Sequence, residues 1–269
     1  MGPAITFCLI SCGELTEREC LAAIEPYRSQ FVLQEVRNVC PQIAALKQMV
    51  DQVETPYLVP LDADIILYPD AFPRIRLAVD KFHHDPNWHS ILFPLFDTLT
   101  QRRILALKVL RTSILKQIPF EESATPDVLH YKRLTDAGYV AIHKYLDKPP
   151  IGDHVVRGKH FCYHKYRDVY RTLRVHGWEW DGGVFMGGRT LEEKAKKHYN
   201  YFLSQYLLTD NKDYLYCIAG MADGITSSLE NKSKSLERGG YDVSTDYPIA
   251  AFTAWYLERH RQMVNSVMF

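Results

Sequence analysis

This 269-residue chain has no C-x-x-C pair, no long apolar run and no excess of either charge. The six cysteines (Cys8, Cys12, Cys20, Cys40, Cys162, Cys217) are scattered. No zinc site is therefore expected, and buried free thiols in a reducing compartment are the default reading. No apolar run reaches the roughly eighteen residues of a membrane span, and no basic–apolar–small signal segment opens the chain. The expectation is a soluble, cytoplasmic protein without a membrane span. Thirty-two Lys and Arg balance thirty-two Asp and Glu, so net charge names no partner. Repeats and low-complexity tracts are absent as well. Hydrophobic content of 46% and charged content of 24% are those of a globular protein. The length suits one large α/β domain, or one with an appended subdomain.

The first half alternates strands and helices. Ala4–Ile10 is an apolar strand ending at Ser11-Cys12-Gly13-Glu14. Thr16 and Glu19 have the spacing of a capping box for a helix to about Ile24, which Pro26 ends. Phe31–Val36 gives a second strand. Pro41 opens a helix to about Val53, with Ile43, Leu46, Met49, Val50 and Val53 on one face. A third strand leads into Asp62, a third helix opens at Pro69-Asp70 and runs to about Phe82, and strands follow at Ser90–Phe96 and Ile104–Arg111. This order implies a parallel sheet with right-handed crossovers.

The chemistry-bearing feature is Leu61-Asp62-Ala63-Asp64, at the end of the apolar run Leu58-Val59-Pro60-Leu61. Ligands of open α/β sheets collect at the carboxyl ends of such strands. Two crowded carboxylates favour a divalent cation, Mg²⁺ or Mn²⁺, which binds through one or two carboxylates plus substrate phosphates. The alternative is two solvated aspartates in a turn, one of them capping the next helix.

The run Leu61–Ala71, LDADIILYPDA, resembles the Asp-x-Asp block of GT-A glycosyltransferases similar to family 2. A second block, Asp127–Tyr139, resembles the same family's "ED-x-D-L-x-x-R-L-x-x-x-G-Y", with Asp127, Arg133, Leu134, Gly138 and Tyr139 in register. Ile151-Gly152-Asp153-His154 is similar to the late histidine element that completes the metal site of many such enzymes. The resemblance covers about Ile5 to His154. It implies a Rossmann-like, mostly parallel GT-A sheet in residues 1–155, with residues 156–269 as a helical region carrying a mobile loop and the acceptor surface. There are departures. Pro126 and Leu129 replace two acidic residues of the second block, and the acidic pair that reads uracil is missing, leaving Glu35, Arg37 and Asn38 as candidates. A strand before the third helix has no counterpart.

The resemblance implies transfer of a sugar from a nucleoside diphosphate sugar, with UDP expected, to an acceptor hydroxyl, and inversion is favoured. Asp64 is then the direct metal ligand, Asp62 meets ribose or a metal-bound water, and His154 adds an imidazole nitrogen. Asp127 is the general base, though it could equally be a helix-capping residue with Ser123 and Thr125. Ser11, Cys12, Glu14, Glu35, Asn38 and Lys47 are donor-binding candidates, Lys47 being otherwise a solvated helix lysine.

From Arg157 to Asn200, ten basic residues face five acidic ones, with aromatics between them. Two readings stay open: Cys162, Tyr166, Val169, Tyr170 and Leu173 as the core face of a helix, or a basic, stacking-capable surface for a polyanion. Residues 178–188 read as a glycine-rich loop able to close over a donor, and Thr190 with Glu193 as a capping box. Ser227–Gly240 reads as a polar loop, and Pro248 opens a last helix. The pattern SCGE, DADIILYPDAF, LKVLR is also similar to phage-type glycosyltransferases that modify hydroxymethylated pyrimidines in DNA. A DNA acceptor is the leaning. The alternatives are a soluble glycan precursor or protein acceptor, and a catalytically dead nucleotide- or DNA-binding module.

Overall fold

The computed structural model describes Gly2 and residues 4–123, 126–176 and 190–226. They fall into two compact units, one running to Val156 and one starting at Arg157.

The first unit contains β1 (Ile5–Ser11), α1 (Glu17–Ile24), a 3-10 turn (Glu25–Gln30), β2 (Val32–Arg37), α2 (Gln42–Gln52), β3 (Tyr57–Asp62) and β4 (Ile65–Leu67). It continues with α3 (Ala71–Phe82), β5 (Trp88–Asp97), β6 (Arg102–Arg111), α4 (Thr112–Gln117), α5 (Pro126–Asp136), β7 (Val140–Ile142) and β8 (Gly152–His154). The strands form one sheet, ordered β2-β1-β3-β6-β5-β8-β4, with β7 added against β5. β1 runs parallel to β2 and β3, the arrangement that the strand–helix alternation requires. β7 and β8 run parallel to β5, while β6 is antiparallel to β3 and β5, and β4 to β8. The α/β class and the mostly parallel sheet are thus as expected.

Alternation along the strands fills two cores. Ile5, Phe7 and Leu9 of β1 and Tyr57, Val59 and Leu61 of β3 pack with Cys20, Phe72, Ile75 and Val79 from α1 and α3. Cys8, Leu58 and Leu110 point the other way, onto Ile43, Leu46 and Met49 of α2 and Leu115 of α4. Helices on both faces explain why these strands read as near-continuous apolar runs.

Two local expectations need correcting. Thr16 makes no capping bond; its backbone is helical and its hydroxyl donates 2.8 Å to the carbonyl of Ala63. A tertiary acceptor has won over the local one. The strand thought missing before the third helix is present as β4, only three residues long. So short a stretch has no periodicity to read.

The second unit comprises α6 (Lys159–His176), α7 (Leu191–Thr209) and α8 (Asp213–Thr226). Cys162, Tyr166, Tyr170 and Leu173 are buried and Val169 is half-buried, so α6 has the core face of the first of the two readings, and Tyr166 meets Phe202 edge-on at 4.7 Å. The Thr190 hydroxyl accepts from Glu193 N at 3.1 Å, capping α7. The expected glycine-rich loop, polar stretch and last helix lie outside the described residues.

Candidate functional site

The Asp62-Ala63-Asp64 turn is held from behind. Ala63 is fully buried, its N–H donates 3.0 Å to Ile10 O, and its carbonyl takes the Thr16 hydroxyl. A larger side chain would collide with the core under α1. With its middle residue turned inward, Asp62 is exposed at the end of β3 and Asp64 is left half-buried.

Strand register carries Asp64 to a histidine. β4 pairs Ile65 with His154, and β8 pairs His154 with Asp97 of β5. His154 Nε2 lies 3.1 Å from Asp64 Oδ2, and His154 Nδ1 lies 2.8 Å from Asp97 Oδ2. Asp97 Oδ1 accepts from Leu99 N at 3.0 Å and from Thr100 N at 2.7 Å, and also meets the Thr100 hydroxyl. Held as an acceptor by these donors, Asp97 fixes the ring proton on Nδ1 and turns Nε2 toward Asp64. Gly152 permits this approach, because a Cβ there would stand 2.7 Å from Ile66 O.

The pair fits a divalent cation in donor chemistry, one hard carboxylate oxygen beside one imidazole nitrogen backed by a second carboxylate. Among the described residues, no three His, Cys, Asp or Glu side chains converge as a complete cage. The fit is therefore to an open ion that takes its other ligands from phosphate and water.

A second polar cluster closes the ends of β1 and β2. Ser11 Oγ lies 3.0 Å from Glu14 Oε2 and hydrogen-bonds Glu17, Cys12 N donates 2.8 Å to Glu14 Oε2, and Asn38 N donates 2.7 Å to Ser11 O. Arg37 pairs with Glu17 and, at 2.7 Å, with Glu35. The Ser11 hydroxyl, with Arg37 behind it, holds the Glu17 carboxyl below the usual range. Four expected donor residues, Ser11, Cys12, Glu14 and Glu35, thus share one network, with Asn38 tied to it through its backbone. Glu17, which the sequence reading did not single out, joins them through Ser11 and Arg37.

A pocket of about 690 Å³, open mouth included, lies on the α2–α5 side of the sheet, and both Asp62 and Asp127 line it. It opens where β3 and β6 diverge, since their pairing stops at Leu58–Leu110. Pro60 has no N–H to extend it. Asp127 stands in the first turn of α5, with Lys108 Nζ of β6 3.9 Å from its carboxylate. His130 is a satisfied structural residue, 2.6 Å from Ile118 O and packed on Phe120. Lys47 is not brought to this pocket. It is exposed on α2, about 100° round the helix from Leu46, which does line it.

Gly138-Tyr139 of the second block closes α5. Gly138 N bonds Thr135 O at 2.9 Å and Tyr139 N bonds Leu134 O at 3.1 Å, with Gly138 at φ 89°. This is a Schellman cap, which needs a residue at ease in the left-handed region. Arg133 ties the same helix to Pro119 O at 2.6 Å and Glu121 at 2.9 Å.

No protein-family model and no curated protein matches the chain. Solved structures similar to it include the mannosyltransferase PcManGT from Pyrobaculum calidifontis in complex with GDP-Man and Mn2+. That structure is 13% identical with a TM-score of 0.47, over 98% of this chain and 84% of that one. Another is S. aureus TarS 1-349 in complex with UDP-GlcNAc, 13% identical with a TM-score of 0.41, over 82% and 81%. A third is a glycosyltransferase involved in glycosylation of the major capsid of PBCV-1, 14% identical with a TM-score of 0.40, over 58% and 96%.

Proposed function

We propose that the chain is a divalent-cation-dependent glycosyltransferase that moves a sugar from a nucleoside diphosphate sugar, UDP-linked in the first instance, to an acceptor hydroxyl. The observation that carries this reading is the Asp62-Ala63-Asp64 turn at the end of β3, with Asp64 set against an oriented His154. Asp64 and His154 would hold Mn²⁺ or Mg²⁺. When bound, that ion offsets the charge gathering on the departing diphosphate. Asp62, the first residue of that turn, would meet ribose or a metal-bound water, and the Ser11–Glu14–Arg37 cluster would flank the nucleoside. In the reaction the acceptor oxygen bonds to the anomeric carbon as the bond from that carbon to the diphosphate oxygen breaks. The acceptor proton passes to the Asp127 carboxylate, and the nucleoside diphosphate leaves. Lys108 steers Asp127, and inversion follows from a base lying across the sugar from the leaving group.

A screen of nucleotide sugars against glycans, proteins and hydroxymethylated DNA tests this function. Asp127→Asn should keep donor binding and lose transfer by roughly a hundredfold or more. Near-normal turnover, or a product of retained anomeric configuration, removes Asp127 from the role of base.

The finer reading, hydroxymethylated DNA as acceptor, rests on the basic excess between Arg157 and Asn200. Tyr163, Tyr166 and Tyr170 are buried in the second unit and are not available for stacking. Arg174 donates 2.7 Å to Ile225 O, and Arg167 lies 3.4 Å from Asp168. If the remaining basic residues hold DNA through its phosphates, affinity should fall with salt by a log–log slope of roughly 0.9 per phosphate contact. Salt-insensitive or absent duplex binding, with transfer to a glycan or protein hydroxyl, turns the acceptor reading to those classes.

A further inference from the structure

The pocket shared by Asp62 and Asp127 has a polar floor that no step above uses. His89 and Ser90, at the start of β5, both line it and are 1% and 0% exposed. Neither ring nitrogen of His89, nor Ser90 Oγ, has a hydrogen-bond partner among the described residues. The same holds for Gln42 Oε1, which comes to the pocket from the first turn of α2. Burying such a group without a partner costs about 1–3 kcal/mol. Four such atoms around one opening is unusual, because buried polar groups are nearly always bonded.

We propose that His89, Ser90 and Gln42 read the hydroxyls of the donor's transferred sugar, and that this sugar is an uncharged hexosyl group. The inference rests on the transferase reading. In a displacement at an anomeric carbon, the ring lies between the leaving diphosphate and the base. Asp62, beside the Asp64 that would hold the diphosphate's ion, stands on the side of the first and Asp127 at the second, and both line one pocket. A neutral imidazole offers one donor and one acceptor, a hydroxyl offers both, and an amide oxygen accepts. That set matches neighbouring sugar hydroxyls, each of which donates and accepts. Leu46, Met49, Leu110 and Phe120 supply apolar wall for the C–H faces of a ring.

Charge narrows the class. Burial, with His130, Lys108 and His143 nearby, lowers His89 to about 4, so it carries no charge at neutral pH. The cation on the wall, Lys108, already faces Asp127, and Asp62 adds a negative charge. A uronic acid or a phosphorylated sugar would bring an anion to this wall, where Lys108 is the one Lys or Arg among the described lining residues and already faces Asp127.

Calorimetry in Mn²⁺ on the full chain tests this with UDP, UDP-glucose and UDP-glucuronate, and with GDP and GDP-mannose. The readout is the ratio of nucleoside diphosphate Kd to nucleotide sugar Kd, which isolates the sugar's share of binding. Wild type should favour the uncharged sugar over glucuronate by about tenfold or more. Ser90→Ala and His89→Phe should each cut the ratio about 3- to 10-fold, the scale of one hydrogen bond, with the nucleoside diphosphate Kd unchanged. Ser90→Ala removes a single oxygen and serves if the histidine variant folds poorly. Unchanged ratios, or a preference for glucuronate, overturn the subsite while leaving the transferase reading intact. Failure of every nucleoside diphosphate to bind with metal overturns both.

Discussion

His154 between Asp64 and Asp97 is the residue arrangement on which most depends, and Asp97 is the member that sequence reading missed. Its signal was present: a carboxylate at the end of a long apolar strand, the same pattern that drew attention to Asp62. What hid it is distance along the chain, for its partner comes 57 residues later and meets it only through the β5–β8 register. Asp97→Asn keeps an oxygen for the Leu99 and Thr100 donors but cannot accept the Nδ1 proton with its amide nitrogen. Mn²⁺ affinity in the presence of nucleoside diphosphate, read by paramagnetic resonance, should fall about 10- to 100-fold. His89 makes a second residue-scale prediction. Its folded pKa of about 4 lies below the ordinary 6.5, so the unfolded chain takes up the proton first as pH falls. Stability should drop between about pH 6.5 and pH 4 and level off below, by on the order of 3 kcal/mol. Denaturant titrations of wild type and His89→Phe across that window should diverge, with the variant lacking this component. The thiols also sort by burial: Cys8 and Cys20 are pushed up to about 12, mainly by burial, while Cys40 is exposed.

At the scale of elements, the β3 turn is a device for presenting two carboxylates while hiding the residue between them. Its cost falls on Ala63, which must be small because it sits against Thr16 on a packed core. Ala63→Leu should destabilise the protein by about 1–3 kcal/mol through overpacking, measured by chemical denaturation. It should weaken nucleotide–metal binding as well, because the turn must shift. A variant of wild-type stability and affinity would show that the turn is not clamped. β1, α2, β3 and α3 were legible in the sequence because each carries either an unbroken apolar run or a clear 3.6-residue stripe. β4 was not, being three residues long, and Thr16 was misread because nothing local announces Ala63 as its acceptor. Gly138-Tyr139 was legible as a motif but not as a cap, since only the structure reveals the two backbone bonds it closes.

At the scale of the molecule, the first unit supplies the sheet, the carboxylates and the pocket, and the second is helical in its described part. Its basic residues and tyrosines looked alike in sequence, yet Tyr163, Tyr166, Tyr170 and Tyr214 are core, and Arg167 and Arg174 are bonded within the unit. Composition could count these groups but could not assign them to inside or outside. Among the described residues no helix is long and apolar enough to cross a membrane. The central claim is that Asp64 and His154 bind a diphosphate through a divalent cation. Its most direct measurement is calorimetric titration of UDP and GDP into wild type and Asp64→Ala, each in Mn²⁺ and in EDTA. The account predicts tight binding only for wild type with Mn²⁺, and a loss of about tenfold or more on chelation or substitution. Equal affinity in all four conditions would contradict it.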